Sequence, residues 1–433
     1  MRPSDPLIAT LAEQYVSRFG ETLGPIRKVG REAEFPVVWP DGRAGDVGLL
    51  WEPLLAQGGL TPHYDDPITR RLLVELSEPG MMVAIEVGRC TVELSLGPCE
   101  DLWQLQTGFD RALARVNGAA RECGLRLLGF GIQPRTPASQ RLMTPARHYR
   151  ALRRAAGAAW LRLTTSASDQ LHVDITRSEI PTAVNWLNLL SGPLIAVCAN
   201  SSIYAGRAGQ YQAGREAFLA DLGEHRYGMP PRQFATTTEW IQYLSEFRCF
   251  VLPESTGFRR TNRPFREVLA TEAKRGTSSE QLFQYFLWHE HYVWNSARAR
   301  VAHSTIEVRP ACQQPPGESM AANALILGWV VALKEASELV SRALGPDPWP
   351  AMTRYRQAAV REGLGASEPA PGLLIGLVEI ARAGLKRRGR GEERLLVPIE
   401  QRLAERQSPG QRAQQILRRS GMAALLEQLR ITV

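Results

Sequence analysis

No apolar run in this chain is long enough to cross a bilayer. The longest, Ala321–Leu333, contains Asn323 and leads into Lys334 and Glu335, whereas a spanning helix needs about 20 apolar residues. It reads as a buried helix. The first residues, Met1-Arg2-Pro3-Ser4-Asp5, carry no apolar segment of the kind a secretory signal needs. The six cysteines, Cys90, Cys99, Cys123, Cys198, Cys249 and Cys312, form no CxxC pair. That argues against a zinc ribbon and a secreted disulfide scaffold. Reduced thiols in a cytoplasm are the expectation. No cysteine sits in a Cys–His pattern suited to thiol catalysis, and no GxxxxGK[ST] phosphate loop is present. Repeats and low-complexity segments are also missing.

What remains is an ordinary globular composition. Of 433 residues, 44% are hydrophobic and 22% charged, which excludes a disordered chain, a collagen and a coiled coil. The net charge of +8 fits a nucleic acid, an anionic surface or an anionic substrate until the charges are located. The densest basic run, Lys386-Arg387-Arg388-Gly389-Arg390, has no interleaved aromatic residues. It reads as a solvated loop, and neither a nucleic-acid partner nor a membrane is expected.

Periodicity predicts the elements. Residues 6–20 read as an amphipathic helix, and Val29–Trp39 as a strand closed by Pro40-Asp41-Gly42. Leu102, Leu105, Phe109, Leu113, Val116 and Ala120 share one face of a helix opened by Glu100 and Asp101. Further strands are expected at Leu125–Gln133, Leu171–Thr176 and Thr305–Pro310. Helices are expected at Pro181–Ala199, kinked at Pro193, and at Glu318–Leu344. Gly345-Pro346-Asp347-Pro348 marks a boundary between a main domain, 1–344, and a helical region, 345–433, expected to pack on it.

The chemistry lies in charged groups on strand faces. Side chains two apart on a strand leave the same face, so Glu32 and Glu34 point together. Glu86 and Glu93 are seven apart, which on one strand would oppose them. A hairpin through a two-residue Gly88-Arg89 loop of type II′ instead pairs Val87 with Cys90 and Glu86 with Thr91, bringing both acids to one face. His172 and Asp174, and Thr305, Glu307 and Arg309, repeat the two-residue spacing with apolar neighbours opposite. A single such pair is usually a solvated outer face. Four segments with the same layout predict one strongly anionic sheet face, and converging carboxylates need cations. His289 and His291, flanking Glu290, read as packing or surface residues.

The motifs resemble those of the glutamate–cysteine ligases, in the plant-type and bacterial second family that also holds generic carboxylate–amine ligases. The resemblance rests on Gly30-Arg31-Glu32-Ala33-Glu34-Phe35, on Glu86 with Glu93, and on Gly129-Phe130-Gly131-Ile132-Gln133-Pro134. It continues in Gln170-Leu171-His172-Val173-Asp174, in Ala199-Asn200-Ser201-Ser202 with Gly206-Arg207 and Arg215, and in Thr305-Ile306-Glu307-Val308-Arg309. It covers roughly residues 25–340 in a common order. Ser202 stands where the family often has proline. His172 stands where plant-type members often have asparagine and other branches a metal-binding histidine.

The resemblance implies an α+β, glutamine-synthetase-like fold: a curved, mainly antiparallel sheet forming a funnel active site, with helices outside. It implies ATP and Mg²⁺, with Mn²⁺ as an alternative, and small amino-acid substrates. A carboxylate would be activated as an acyl phosphate and captured by an amine; glutamate plus L-cysteine is the family default, and another amino acid or amine the alternative. Glu32, Glu34, Glu86, Glu93, His172 and Glu307 are then the metal ligands, with Glu93 also counted as catalytic. Arg309 either steadies the transferring phosphoryl group or pairs with Glu307. Arg215 and Arg207 either clamp a substrate carboxylate or sit in a surface loop. Gln170 and Asn200 are placed at the substrate. A noncatalytic binding protein on this fold and a basic nucleic-acid binder are the competing classes.

Overall fold

The computed structural model describes residues 5–432 except positions 67, 224 and 256; the expectation about Met1–Ser4 lies outside the described residues. Nine strands form one sheet in which every pairing is antiparallel. They are β1 (Val29–Val38), β2 (Thr61–Tyr64), β3 (Leu73–Glu78), β4 (Met81–Ile85), β5 (Thr91–Cys99), β6 (Arg126–Leu127), β7 (Asp169–Asp174), β8 (Ala297–Arg300) and β9 (Thr305–Val308). The order across the sheet is β8-β9-β7-β1-β5-β4-β3-β2, with β6 against the far end of β1. The mixed helix and antiparallel-sheet class expected from the sequence is therefore present.

Strand alternation divides the sheet into a core face and a polar face. Ala33, Phe35, Val92 and Leu94 pack with Phe109, Leu113 and Val116 of the helix Leu102–Glu122. All six residues predicted for that helix face are buried, and Asp101 caps its first turn by accepting from the Gln104 amide at 2.8 Å. Leu171, Val173, Ile306 and Val308 join the larger core with the helices Ile180–Leu189, Ser191–Cys198 and Ala321–Val331. That core also takes in Leu374, Leu377 and Leu385 of the helix Leu373–Arg388. There two helices touch backbone to backbone: a Cβ on Gly328 would lie 2.4 Å from the Ala381 oxygen. Among the described residues, four helical stretches of six or more residues follow Leu344, the last broken at Gly421, and the first, Trp349–Glu362, packs on Ser191–Cys198. The basic run ends the Leu373–Arg388 helix, where Arg387 meets Glu335, Arg388 meets Glu392 and Arg390 meets Asp101. Cations at a helix C-terminus suit its dipole.

Several expected elements differ. Ala332, at φ −114° and ψ 33°, breaks the long helix into Ala321–Val331 and Leu333–Leu344. The apolar helix bends by 46° at Leu190 rather than at Pro193, which lies inside the first turn of the second half, where proline is tolerated. Of Leu125–Gln133 only Arg126–Leu127 pairs as a strand; Leu128 and Ile132 make single bridges to Arg430 and Ser166. No single helix among the described residues is long and apolar enough to cross a membrane.

The hairpin is correct in register and incorrect in its turn. Ile85 pairs with Val92 and Ala84 with Glu93, and the Glu86 amide donates to Thr91 O at 3.2 Å. The tight closure is missing because Val87 O accepts from Thr144 and Cys90 O from Val37. Gly88 does not have the positive φ that a type II′ turn requires. It is needed for close approach: a Cβ there would sit 1.9 Å from the Thr164 oxygen.

Candidate active site

Register brings the charged groups together on the polar face. Glu34 stands opposite Glu93, Glu32 opposite Gln170, His172 opposite Glu307 and Glu307 opposite Arg298. The six acidic and histidine side chains gather as two trios, Glu34-Glu86-Glu93 and Glu32-His172-Glu307, each offering ligand atoms within 4.8 Å of one another.

The first trio is crowded. Glu34 accepts from the Ser168 amide at 2.8 Å and hydroxyl at 2.7 Å, and Glu93 accepts from Ser95 Oγ at 2.8 Å. Burial and the neighbouring Glu86 nevertheless push the Glu34 carboxyl up to about 7. Burial, then Glu86, Glu32 and Glu34, hold Glu93 well above the usual carboxylate range. In the second trio, His172 Nε2 lies 3.0 Å from Glu32 and its Nδ1 lies 3.1 Å from Thr305 Oγ1. Burial raises the Glu32 carboxyl, but the His172 pairing outweighs it and lowers the group. Glu307 is 1% exposed and is gripped by Arg298 at 2.6 Å, Arg300 at 3.4 Å and Arg309. Those guanidiniums overcome the cost of burial and hold it well below the usual range.

The donor chemistry fits a hard divalent cation. Five carboxylates and one imidazole suit Mg²⁺ or Mn²⁺ and offer no sulfur for softer ions. The raised carboxyls give a testable sign. A carboxyl whose folded value exceeds its unfolded one stabilises the fold below the unfolded value and loses that contribution as pH rises through the folded value. For Glu34 the window runs from the ordinary 4.5 to about 7; Glu307, held low, is already ionised throughout it. Chelator-treated protein should therefore melt at a lower temperature near pH 8 than near pH 5.5, and added Mg²⁺ should recover more at about pH 8. Calorimetric melts in EDTA that stay level or rise across this range would contradict the crowding.

The first trio opens into a cavity of about 180 Å³. Its walls carry Gln170 and the cations Arg215, Arg298, Arg300 and Arg309, faced by Tyr149, Trp160, Tyr292 and Trp294. The rings pack in one apolar cluster with Leu163, Leu219 and Val87. A second groove, about 530 Å³, touches Glu32 and His172 and is walled by Val29, Met81, Leu96 and His303. The metal candidates thus lie between two openings.

Two residues expected at the substrate are placed elsewhere. Arg207 is exposed on a short hairpin, Ile203–Tyr204 with Arg207–Ala208, and does not line the cavity. Asn200 is fully buried and donates to Gly129 O at 3.0 Å and Gln313 O at 2.7 Å, joining two loops beneath the sheet. Arg309 lines the cavity while pairing with Glu307, so both readings of it are spatially open. Gln170 donates to Ser168 Oγ at 2.9 Å, and its own oxygen is buried without a partner. His289 is a packing residue, stacked on Phe265 at 4.6 Å and pushed down to about 3 by burial. His291 is exposed, as expected of a surface residue, and stands at the cavity.

Arg298 and Arg300 escaped the sequence reading although their signal was present. Ala297-Arg298-Ala299-Arg300 alternates with the same period as the acidic strands. Glu216, Tyr227 and the aromatic wall had no such signal, because helices, loops and a short parallel strand pair, Tyr227–Gly228 with Trp294–Asn295, supply them.

The model of Glutamate-cysteine ligase family 2 (GCS2) matches residues 29–428. A protein of Gloeobacter violaceus named putative glutamate–cysteine ligase 2 is 29% identical over 157 residues, 35% of this chain and 40% of the relative. Its namesake from Roseiflexus is 22% identical over 200 residues, 43% of this chain and 51% of the relative. The alignments thus span about half or less of either relative's length. Among solved structures, a glutamate–cysteine ligase of Francisella tularensis in complex with AMP superposes with a TM-score of 0.55 at 10% identity, covering 95% of this chain and 88% of that one. A bifunctional glutathione synthetase from Pasteurella multocida gives 0.51 at 12% identity, over 97% of this chain and 53% of the other. At such identities the likeness establishes the fold. The family match runs from the first strand of the sheet almost to the end of the last helix, and by it this chain belongs to glutamate–cysteine ligase family 2.

Proposed function

We propose that the protein is an ATP-dependent carboxylate–amine ligase that forms an amide through an acyl phosphate, with glutamate and L-cysteine as the first pair to test. The observation that carries this reading is the pair of ligand trios between two openings, one walled by arginines and aromatic rings and the other largely apolar. Glu34, Glu86 and Glu93 would hold one Mg²⁺, and Glu32, His172 and Glu307 a second. When bound, Mg²⁺ neutralises the crowded carboxylates and the phosphate oxygens between which charge moves.

The chain's own groups divide the remaining work. The groove beside Glu32 and His172 receives the nucleotide, its apolar wall taking the base. Arg309 donates to the transferring phosphoryl group, where a planar guanidinium matches the phosphate oxygens. Arg215 meets the donor's carboxylate from the far side of the cavity. Tyr149, Trp160, Tyr292 and Trp294 hold the acceptor's side chain and keep water from the acyl phosphate, which would otherwise hydrolyse.

The test is ADP release from MgATP and glutamate, with and without cysteine, followed by mass detection of the product. Cysteine-dependent ADP with a γ-glutamylcysteine mass is the expected result. Dependence on a different amine keeps the chemistry and changes the acceptor. No ADP with any amino-acid pair, from folded Mg²⁺-loaded protein, favours a binding-only role.

A further inference from the structure

Around Arg215 at the cavity wall lie Glu216, Tyr227 and Arg356, a buried group that the proposed reaction does not use directly. Glu216 is 2% exposed in its side chain and takes three donors. Arg215 Nη1 reaches one oxygen at 2.6 Å; Arg356 Nη2, at 2.8 Å, and the Tyr227 hydroxyl reach the other. Arg215 also donates from Nε to Ser166 Oγ at 3.1 Å. Arg215, Glu216 and Tyr227 line the cavity, whereas Arg356 does not. It comes from the helix Trp349–Glu362, beyond Leu344, and its path is closely fitted. A Cβ on Gly228 would fall 2.8 Å from the Arg356 guanidinium, and one on Gly192 would fall 3.2 Å from its Cα.

We propose that Arg356 is a positioning residue for the donor carboxylate: by taking Glu216 as its partner, it leaves Arg215 carrying charge that the cavity can use. The charge count is direct. Two guanidiniums, always protonated, and one carboxylate leave one net positive charge at this wall, since the Tyr227 phenol is neutral. Without Arg356, the Arg215–Glu216 pair closes on itself and is neutral. The wall beside Glu34 would then offer an anion nothing to offset that carboxylate. The cavity's other cations, Arg298, Arg300 and Arg309, are grouped on Glu307 and do not substitute, because they face the phosphoryl end. This inference rests on the reading of Arg215 as the donor's partner, and it gives the helical region after Leu344 a part in substrate recognition.

The test is L-glutamate binding by titration calorimetry on the full chain with Mg²⁺, with MgATP binding as the control for an intact site. Arg356→Met should weaken glutamate at least about tenfold while MgATP binding stays within about twofold, because a lost charge in a partly desolvated site acts over a few ångströms. Arg356→Lys should retain most of the affinity. The decisive variant is the double one, Glu216→Gln with Arg356→Met. It removes both charges and leaves Arg215 alone, so glutamate affinity should return to within about threefold of the wild type. A double variant as weak as Arg356→Met, or weaker, would overturn the proposal in favour of a packing role. Equal glutamate affinity in Arg356→Met and wild type would also overturn it. Should Arg356→Met fail to fold, Glu216→Gln alone answers: it leaves two cations at the wall and should bind glutamate at least as tightly as the wild type, and weaker binding overturns the proposal. If the wild type binds MgATP but not glutamate, the donor reading fails, and this inference fails with it.

Discussion

Glu93→Gln should cripple ligation and at the same time stabilise the metal-free protein. Gln has the same shape but cannot carry the charge. Glu93 stands directly opposite Glu34 in the strand register, and with Glu86 the two supply every ligand of the first trio. Loss of one of three carboxylates at the site proposed to hold a divalent cation against a phosphate is expected to lower kcat by about 10²–10³-fold. The same change removes a carboxyl whose own ionisation is disfavoured by burial and by Glu86, Glu32 and Glu34. Melting in EDTA near pH 8 should therefore rise by about 1–2 °C. ADP release and calorimetry on one preparation read both effects. Loss of activity with a lower melting temperature would mean that Glu93 supports the fold rather than the metal, and an active Glu93→Gln would remove the first trio from the mechanism.

This conjunction of function and strain explains why the acidic face was legible in the sequence. Strand side chains alternate with a period of two, so Glu32 with Glu34 and Glu307 with Arg309 declare a shared face locally, without any knowledge of the fold. Glu86 and Glu93 needed one further step, a hairpin register, and the register found is the one expected, Ala84 with Glu93 and Ile85 with Val92. The turn type was not legible, because Gly88 answers to the Thr164 carbonyl, 76 positions away, and not to its own neighbours. Distance in sequence hid the cavity walls as well. Trp160, Tyr292 and Trp294 each look like ordinary core residues, and only packing makes them one surface. Arg356 is the extreme case: nothing in Thr353-Arg354-Tyr355-Arg356 distinguishes the arginine that meets Glu216 from the one two residues before it. Motif position also misleads where the same segment serves the scaffold, as Asn200 does in tying Gly129 to Gln313.

Beneath the acidic face, Asp169→Ala should cost more stability than removal of any single apolar side chain around it. Arg31 lies on the core side of β1, between Glu32 and the preceding Gly30, and its partner Asp169 opens β7. Both side chains are 0% exposed. The pairing is bidentate, Nε to Oδ1 at 2.8 Å and Nη2 to Oδ2 at 2.9 Å. Arg31 is further held by Ser319 O at 3.0 Å and by the Phe109 ring, 4.1 Å from its carbon centre, while Asn323 donates to Asp169 at 3.2 Å. Such a pair gains little over a well-packed apolar substitute, but removing one partner strands a buried charge, at a cost of about 3–5 kcal/mol. Asp169→Ala leaves the guanidinium without its anion under strands that carry Glu32, Glu34 and His172. Denaturant unfolding should show a loss in that range, and Mg²⁺ binding should weaken with it as the two strands lose their common anchor. Arg31→Met with Asp169→Leu removes both charges and should recover most of the stability. A single Asp169→Ala variant that unfolds within about 1 kcal/mol of the wild type would mean that water reaches Arg31, and the sheet would then owe its alignment to backbone pairing and apolar packing alone.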